Sequence, residues 1–145
     1  MDGSRNRLER VTRVTLERLN ELFELREKLS RAMETRLSLE SVACPGAQVL
    51  TGMPHATGVK DKVGDLAVEI AHLDTRAEEL QSRIADREMA AEQFIRRIPD
   101  DRTQMVFRLR FMRGMTWPEV ADVFGGGNST NGVQKMCYRY LEMNE

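Results

Sequence analysis

The sequence predicts an all-α protein: a long antiparallel helical hairpin, coiled-coil-like, followed by a unit of three short helices. Three observations predict it. Apolar residues recur at three-four spacing through two long stretches, and the first of these, from about Arg5 to Ser41, holds neither proline nor glycine. Beyond Pro99 the chain is punctuated by helix stop and start signals in quick succession. Charged residues make up 31% and aromatics only 6% of the chain, a balance that suits helices better than sheet.

In the first stretch Leu8, Val11, Thr15, Leu16, Leu19, Leu22, Phe23, Leu29, Met33 and Leu37 share one broad face of a helix, with Arg26 snorkelling from the apolar side. Arg10, Arg13, Glu17, Glu21, Glu24, Lys28 and Arg31 lie opposite. Such a helix needs a partner for its stripe, and the second stretch supplies one. From about Asp61 to Arg97 the series Val63, Leu66, Ile70, Leu73, Ala77, Leu80, Ile84, Ala91, Phe94 and Ile98 reads as a coiled-coil seam interrupted by Arg87. Two long helices joined by one connection pair most simply as an antiparallel hairpin. The connection, residues 42–60, carries turn signals at Pro45-Gly46, Gly52, Pro54 and Gly58. The stripes allow a homodimer or higher oligomer through the hairpin.

Pro99 ends the hairpin, so the expected domains are residues 1–98 and 99–145. Asp100 or Asp101 caps a helix with Val106, Leu109 and Arg110 or Met112 at apolar spacing, ended by Arg113-Gly114. Thr116-Trp117-Pro118-Glu119 forms a capping box for a helix whose apolar side is Val120, Ala121 and Phe124. Gly125-Gly126-Gly127-Asn128 breaks it, and Ser129 or Thr130 caps a last helix, buried along Val133, Met136, Cys137, Tyr140 and Leu141. Trp117, beside Pro118, is expected to pack between helices.

The last two helices have the pattern of a helix-turn-helix, whose second helix lies in a DNA major groove. Its exposed positions would be Thr130, Asn131, Gln134, Lys135, Tyr138 and Arg139. Asn and Gln can pair bidentately with adenine, and Lys can reach guanine or phosphate. Arg108, Arg110 and Arg113 are assigned to the DNA backbone, although Arg108 and Arg110 have a second use, pairing with Glu119 and Asp122. Against strong binding stands the charge: the net charge is -1, with no basic field to draw the chain onto phosphates.

No catalytic pattern is visible, so an enzyme is not expected. The glycine run follows a helix and lacks the downstream Lys-Ser/Thr of a phosphate-binding loop, and no cofactor motif is present. Cys44, His55 and His72 match no zinc spacing and lack a fourth ligand, so no metal site is expected. Two distant cysteines make no disulfide framework, and no apolar run approaches a membrane span. The expected setting is a reducing cytoplasm.

The segment PDDRTQMVFRLRFMRGMTWPEVADVFGGG resembles the region-4 helix-turn-helix of sigma-70 factors. More fully, the chain resembles small phage and prophage proteins of Gram-positive bacteria that carry this sigma-like domain behind a helical hairpin. That resemblance covers nearly the whole chain. It rests on the joining segment Thr51 to Asp65, the turn Gly125 to Asn128, and the ending Val133, Cys137, Arg139, Tyr140 and Leu141. It implies a transcription-regulator-like protein of a bacterial host cytoplasm, with double-stranded DNA and RNA polymerase as expected partners. The turn Phe124 to Val133 is about two residues longer than in sigma region 4, so base contacts do not transfer from sigma factors. The alternative is a helical protein-interaction or oligomerisation module, docking on RNA polymerase or serving as a phage structural or packaging accessory.

Overall fold

The computed structural model describes residues 14–43 and 58–144, and all their regular structure is helical. Among the described residues five helices follow one another: α1 (Leu16–Ala43), α2 (Gly58–Arg96), α3 (Asp101–Phe107, continued by a wider π-helical turn, Arg108–Met112), α4 (Trp117–Phe124) and α5 (Thr130–Met143). Residues 5–13 of the expected first helix lie outside the described residues, as do Cys44 and His55 of the connection.

α1 begins at Leu16 because Thr15 is its cap and not a member of its apolar stripe. The Thr15 hydroxyl accepts from the Arg18 N–H at 3.3 Å, and its carbonyl accepts from the Leu19 N–H at 3.0 Å. α2 starts at Gly58, three residues before the expected Asp61. The part of the joining segment from Gly58 to Asp65 is therefore helix.

The chain divides into two compact units, Leu25–Arg83 and Met1–Glu24 with Ile84–Glu145. In the first, the α1 positions that turn inward are Leu25, Leu29, Ala32, Arg36, Leu39 and Ala43, all buried or half-buried at alternating four- and three-residue steps. On α2 the matching positions are Leu66, Ile70, Leu73, Ala77 and Leu80. The expected α1 face is corrected here: Met33 and Leu37 are 50% and 63% exposed. A straight-helix wheel drifts about 20° per heptad against the 3.5-residue repeat of a two-helix seam, so a face drawn over many turns slides off it. Arg36 occupies a seam position and reaches out to Asp74 on α2 and Glu40 on its own helix. Those carboxylates, Asp74 first, push its guanidinium pKa further up.

In the second unit Glu21 of α1 pairs with Arg87 of α2 at 2.9 Å, which explains how an arginine interrupts the apolar series. Within each unit one such ion pair joins α1 to α2, Arg36–Asp74 in the first and Glu21–Arg87 in the second. The division at Pro99 is not where the units part. Ala91, Ile95 and Ile98 share a core with the three C-terminal helices, where Val106, Phe107, Phe111, Val120, Val133 and Cys137 are also buried. Aromatic rings tie this core together. Phe107 sits with its centroid 5.7 Å from Phe94, 5.7 Å from Tyr140 and 5.8 Å from Phe111. Phe111 lies 5.9 Å from Phe23 and 6.4 Å from Trp117, which continues to Tyr138 at 6.0 Å.

The buried face of α3 differs from the expected one. Thr103, Val106, Phe107, Arg110 and Phe111 follow the i, i+3, i+4, i+7, i+8 rule, so Phe107 and Phe111, not Leu109, carry the core. Arg110 stands in the middle of that face. The charge splits the apolar run and makes Leu109 look like its continuation. The helix widens before it stops: the Arg113 N–H donates to the Arg108 carbonyl five residues back, at 3.1 Å. Gly114, at φ 70, then turns the chain away.

Candidate nucleic-acid interface

The candidate interface is built on α4 and α5, each held by a short cap. The Thr116 hydroxyl accepts from the Glu119 N–H at 3.4 Å, and Pro118 falls in the first turn, where no intrahelical donor is needed. Asp100, not Asp101, caps α3, accepting from the backbone and hydroxyl of Thr103. Ser129, not Thr130, caps α5, accepting from the Gly132 N–H at 2.9 Å.

The glycine turn between α4 and α5 has a fixed form. Gly125, Gly126 and Gly127 have φ of 57°, 54° and 88°, and Gly125 combines its value with ψ -163°, a region open essentially to glycine alone. Asn128 closes the turn. Its backbone N–H and side-chain amide both donate to the Gly125 carbonyl, at 3.2 Å and 2.7 Å. Its side-chain oxygen accepts from Arg102, whose guanidinium lies 5.4 Å from the Phe124 ring centroid. The turn is thus clamped to α3 by Arg102, a residue whose role was hidden in the sequence because its partner lies 26 positions away.

On α5, Val133, Cys137 and Leu141 are buried and Met136 and Tyr140 half-buried, as their spacing predicts. Burial pushes the Cys137 thiol up to about 12, only partly opposed by Arg110, so it stays a neutral, unreactive space-filler. Asn131, Lys135 and Arg139, at successive four-residue steps, form one exposed line on the opposite side, followed by Glu142. Thr130 is half-buried in the first turn. Gln134 donates to the Tyr138 hydroxyl at 3.0 Å, and the Tyr138 ring stands edge-on to Trp117. Gln134 and Tyr138 therefore line the flank against α4, and Trp117 packs between helices as expected.

The arginines assigned to the DNA backbone fare differently. Arg113 is exposed. Arg108 donates from one guanidinium nitrogen, Nη1, to both Glu92 carboxylate oxygens at 2.9 Å, an ion pair within the fold, and pairs with neither Glu119 nor Asp122. Arg110 is packed between rings, its guanidinium carbon 4.5 Å from the Phe23 centroid and 4.8 Å from that of Trp117. It donates to the Met115 carbonyl at 2.8 Å, while its Nε is buried without a partner. Both guanidinium groups serve the fold, because the carboxylate and the ring faces nearest to them come from their own chain. Of the arginines assigned to the DNA backbone, Arg108 and Arg110 thus have partners within the fold, while Arg113 is exposed.

Beside the exposed line an open groove of about 430 Å³ runs between α5 and Thr103 of α3, floored by Met136, Tyr140 and Met143 and rimmed by Lys135 and Arg139. α4 presents the opposite sign: Glu119 and Asp122 are exposed, with Val123 beside them at 57% exposure. Among the described residues no cluster of three or more His, Cys, Asp or Glu side chains can hold a metal ion, and His72 is exposed on α2. No described helix is long and apolar enough to cross a membrane.

Two carboxylates make the stability of this unit sensitive to acid. The hydrogen bond from Arg108, followed by that from Arg96, holds the Glu92 pKa below its ordinary 4.5. The Thr103 hydroxyl and backbone N–H hold Asp100 below its ordinary 3.8. Groups depressed in the folded state stabilise it fully above those ordinary values and cease to do so as pH falls through the folded ones. Melting followed by circular dichroism should therefore show Tm falling as pH drops below 4.5. In Glu92→Gln the fall should be shallower, and an equal slope in both proteins would remove Glu92 as a cause.

Comparison with protein-family models, with curated proteins and with solved structures finds no match to the chain.

Proposed function

We propose that the chain is a DNA-binding transcriptional regulator of phage or prophage type, acting in the cytoplasm of a bacterial host, with α5 entering the major groove. The observation that carries this reading is the line Asn131–Lys135–Arg139 on a helix capped and clamped at both sides of its turn. Among the described residues neither Lys135 nor Arg139 has a carboxylate partner. Asn131 offers the amide that pairs with an adenine edge, and the two cations fit guanine or phosphate. Arg113 adds a backbone contact, and Thr130, Gln134 and Tyr138 shape the edge of the reading surface. With so few cations and a net charge of -1, binding has a shallow salt dependence and moderate strength. RNA polymerase already on the DNA would supplement it.

Fluorescence anisotropy with duplexes selected from random DNA tests the reading. Lys135→Ala with Arg139→Ala should weaken binding at least about tenfold, each good base contact being worth about 1–3 kcal/mol, while helicity is unchanged. Asn131→Ala should relax the sequence preference at one base pair. Folded protein that binds no duplex at low ionic strength would overturn the proposal.

The second reading, a protein-interaction module docking on RNA polymerase or on phage structural or packaging components, is favoured by a different observation. The Met-floored groove beside α5, with Met143 84% exposed, has the adaptable apolar character of a protein-docking surface. The acidic outer face of α4 also opposes close approach to phosphates. Absence of DNA binding in the assay above leaves this reading standing.

A further inference from the structure

The groove between α5 and Thr103 of α3 combines an apolar floor with a rim of one charge sign. Met136, Tyr140 and Met143 make the floor, Gly132 leaves the wall at its start without a side chain, and Lys135 and Arg139 stand on the rim. The Tyr140 ring is fixed from beneath, its centroid 5.8 Å from that of Phe94 and 5.7 Å from that of Phe107. The methionines on either side of it are adaptable, and Met143 is almost wholly exposed. Two acidic groups are close by, and neither joins the rim. Glu142 is turned further from the floor than Lys135 or Arg139, and Asp100 caps α3 through Thr103.

We propose that this groove docks an acidic amphipathic helix of another protein. Apolar side chains at i, i+3 and i+4 of that helix seat on the methionine floor, and two of its carboxylates, one turn apart, meet Lys135 and Arg139. Charge and spacing select this chemistry. Lys135 and Arg139 are themselves one turn apart, about 5–6 Å between Cβ atoms, which is the repeat at which a helix laid along α5 presents its own side chains. Neither cation has a carboxylate partner among the described residues. A basic segment on the same floor would set like charges against each other, whereas an acidic one gains both affinity and a fixed orientation. Docked there, its carboxylates occupy the two cations assigned to DNA, so docking and DNA binding exclude each other. That exclusion rests on the DNA reading; the docking itself does not.

Fluorescence anisotropy on the full chain tests it, with a labelled helical peptide carrying leucines at i, i+3 and i+4 flanked by glutamates one turn apart. A second peptide has lysines in place of the glutamates. The acidic peptide should bind saturably, and the lysine peptide at least about tenfold more weakly. Met143→Ser, at the exposed end of the floor, should weaken the acidic peptide at least about fivefold and leave duplex affinity within about twofold. Lys135→Ala with Arg139→Ala should weaken both, and excess acidic peptide should displace a labelled duplex. No binding of the acidic peptide, equal binding of the lysine peptide, full affinity in Met143→Ser, or peptide and duplex bound together would each overturn the proposal. A doubled chain mass in light scattering that returns to 16.6 kDa in Met143→Ser would give the groove to a second copy and overturn it as well. Absence of duplex binding alone would overturn the DNA reading, while the two peptides and Met143→Ser still decide the docking.

Discussion

Phe111→Ala is expected to destabilise the unit formed by Met1–Glu24 and Ile84–Glu145 by about 3–5 kcal/mol, the range for truncating a fully buried aromatic. Phe111 has no exposed surface and links three neighbours: Phe23 on α1, Phe107 one turn back, and Trp117 at the start of α4. Its loss leaves a cavity that the surroundings close poorly, because Phe107 is already fixed by Phe94 and Tyr140. Ring-ring contacts add about 0.5–1.5 kcal/mol per pair beyond burial, which places Phe111 near the top of the range. Urea unfolding followed by circular dichroism measures the change as a shift in midpoint. Leu109→Ala, at a half-buried position, should cost clearly less; equal losses would contradict the assignment of the α3 core.

That contrast marks where the sequence was legible and where it was not. Caps were legible because they are local: Asp100, Thr116 and Ser129 each act within three residues of themselves. The α2 seam was legible because its apolar residues lie on a clean heptad. The α1 seam was not, since Met33 and Leu37 are more apolar than the Ala32 and Arg36 that turn inward, and supercoiling, not hydrophobicity, decides between them. Thr15 sat at helical spacing from Leu19, and only its hydroxyl's bond to Arg18 identifies it as a cap. In the candidate interface, the buried side of α5 followed from its spacing, and so did the exposed Asn131, Lys135 and Arg139. The fates of Arg108 and Arg110 did not, because Glu92 and Phe23 are distant in sequence and local pattern carries no information about them.

Arg110 provides the sharpest separation between a packing role and a DNA role. Arg110→Ala should destabilise its unit by about 2–4 kcal/mol, combining two partly desolvated cation–ring contacts with the hydrogen bond to the Met115 carbonyl. Arg110→Lys should recover little, because a compact ammonium cannot stack its plane between Phe23 and Trp117. Arg110→Met should recover more than half, since the thioether chain fills the space between the rings and removes the buried, unpartnered Nε. Thermal or urea unfolding of the three variants checks this order, and a methionine variant no more stable than alanine would show that the charge, not the packing, matters there. The same methionine variant bears on function. Measured where it is fully folded, its DNA affinity should match the wild type within about twofold, because a guanidinium enclosed by its own chain contributes no phosphate contact. A loss comparable to that of Lys135→Ala with Arg139→Ala would return Arg110 to the DNA-facing surface and require the rings around it to open on binding.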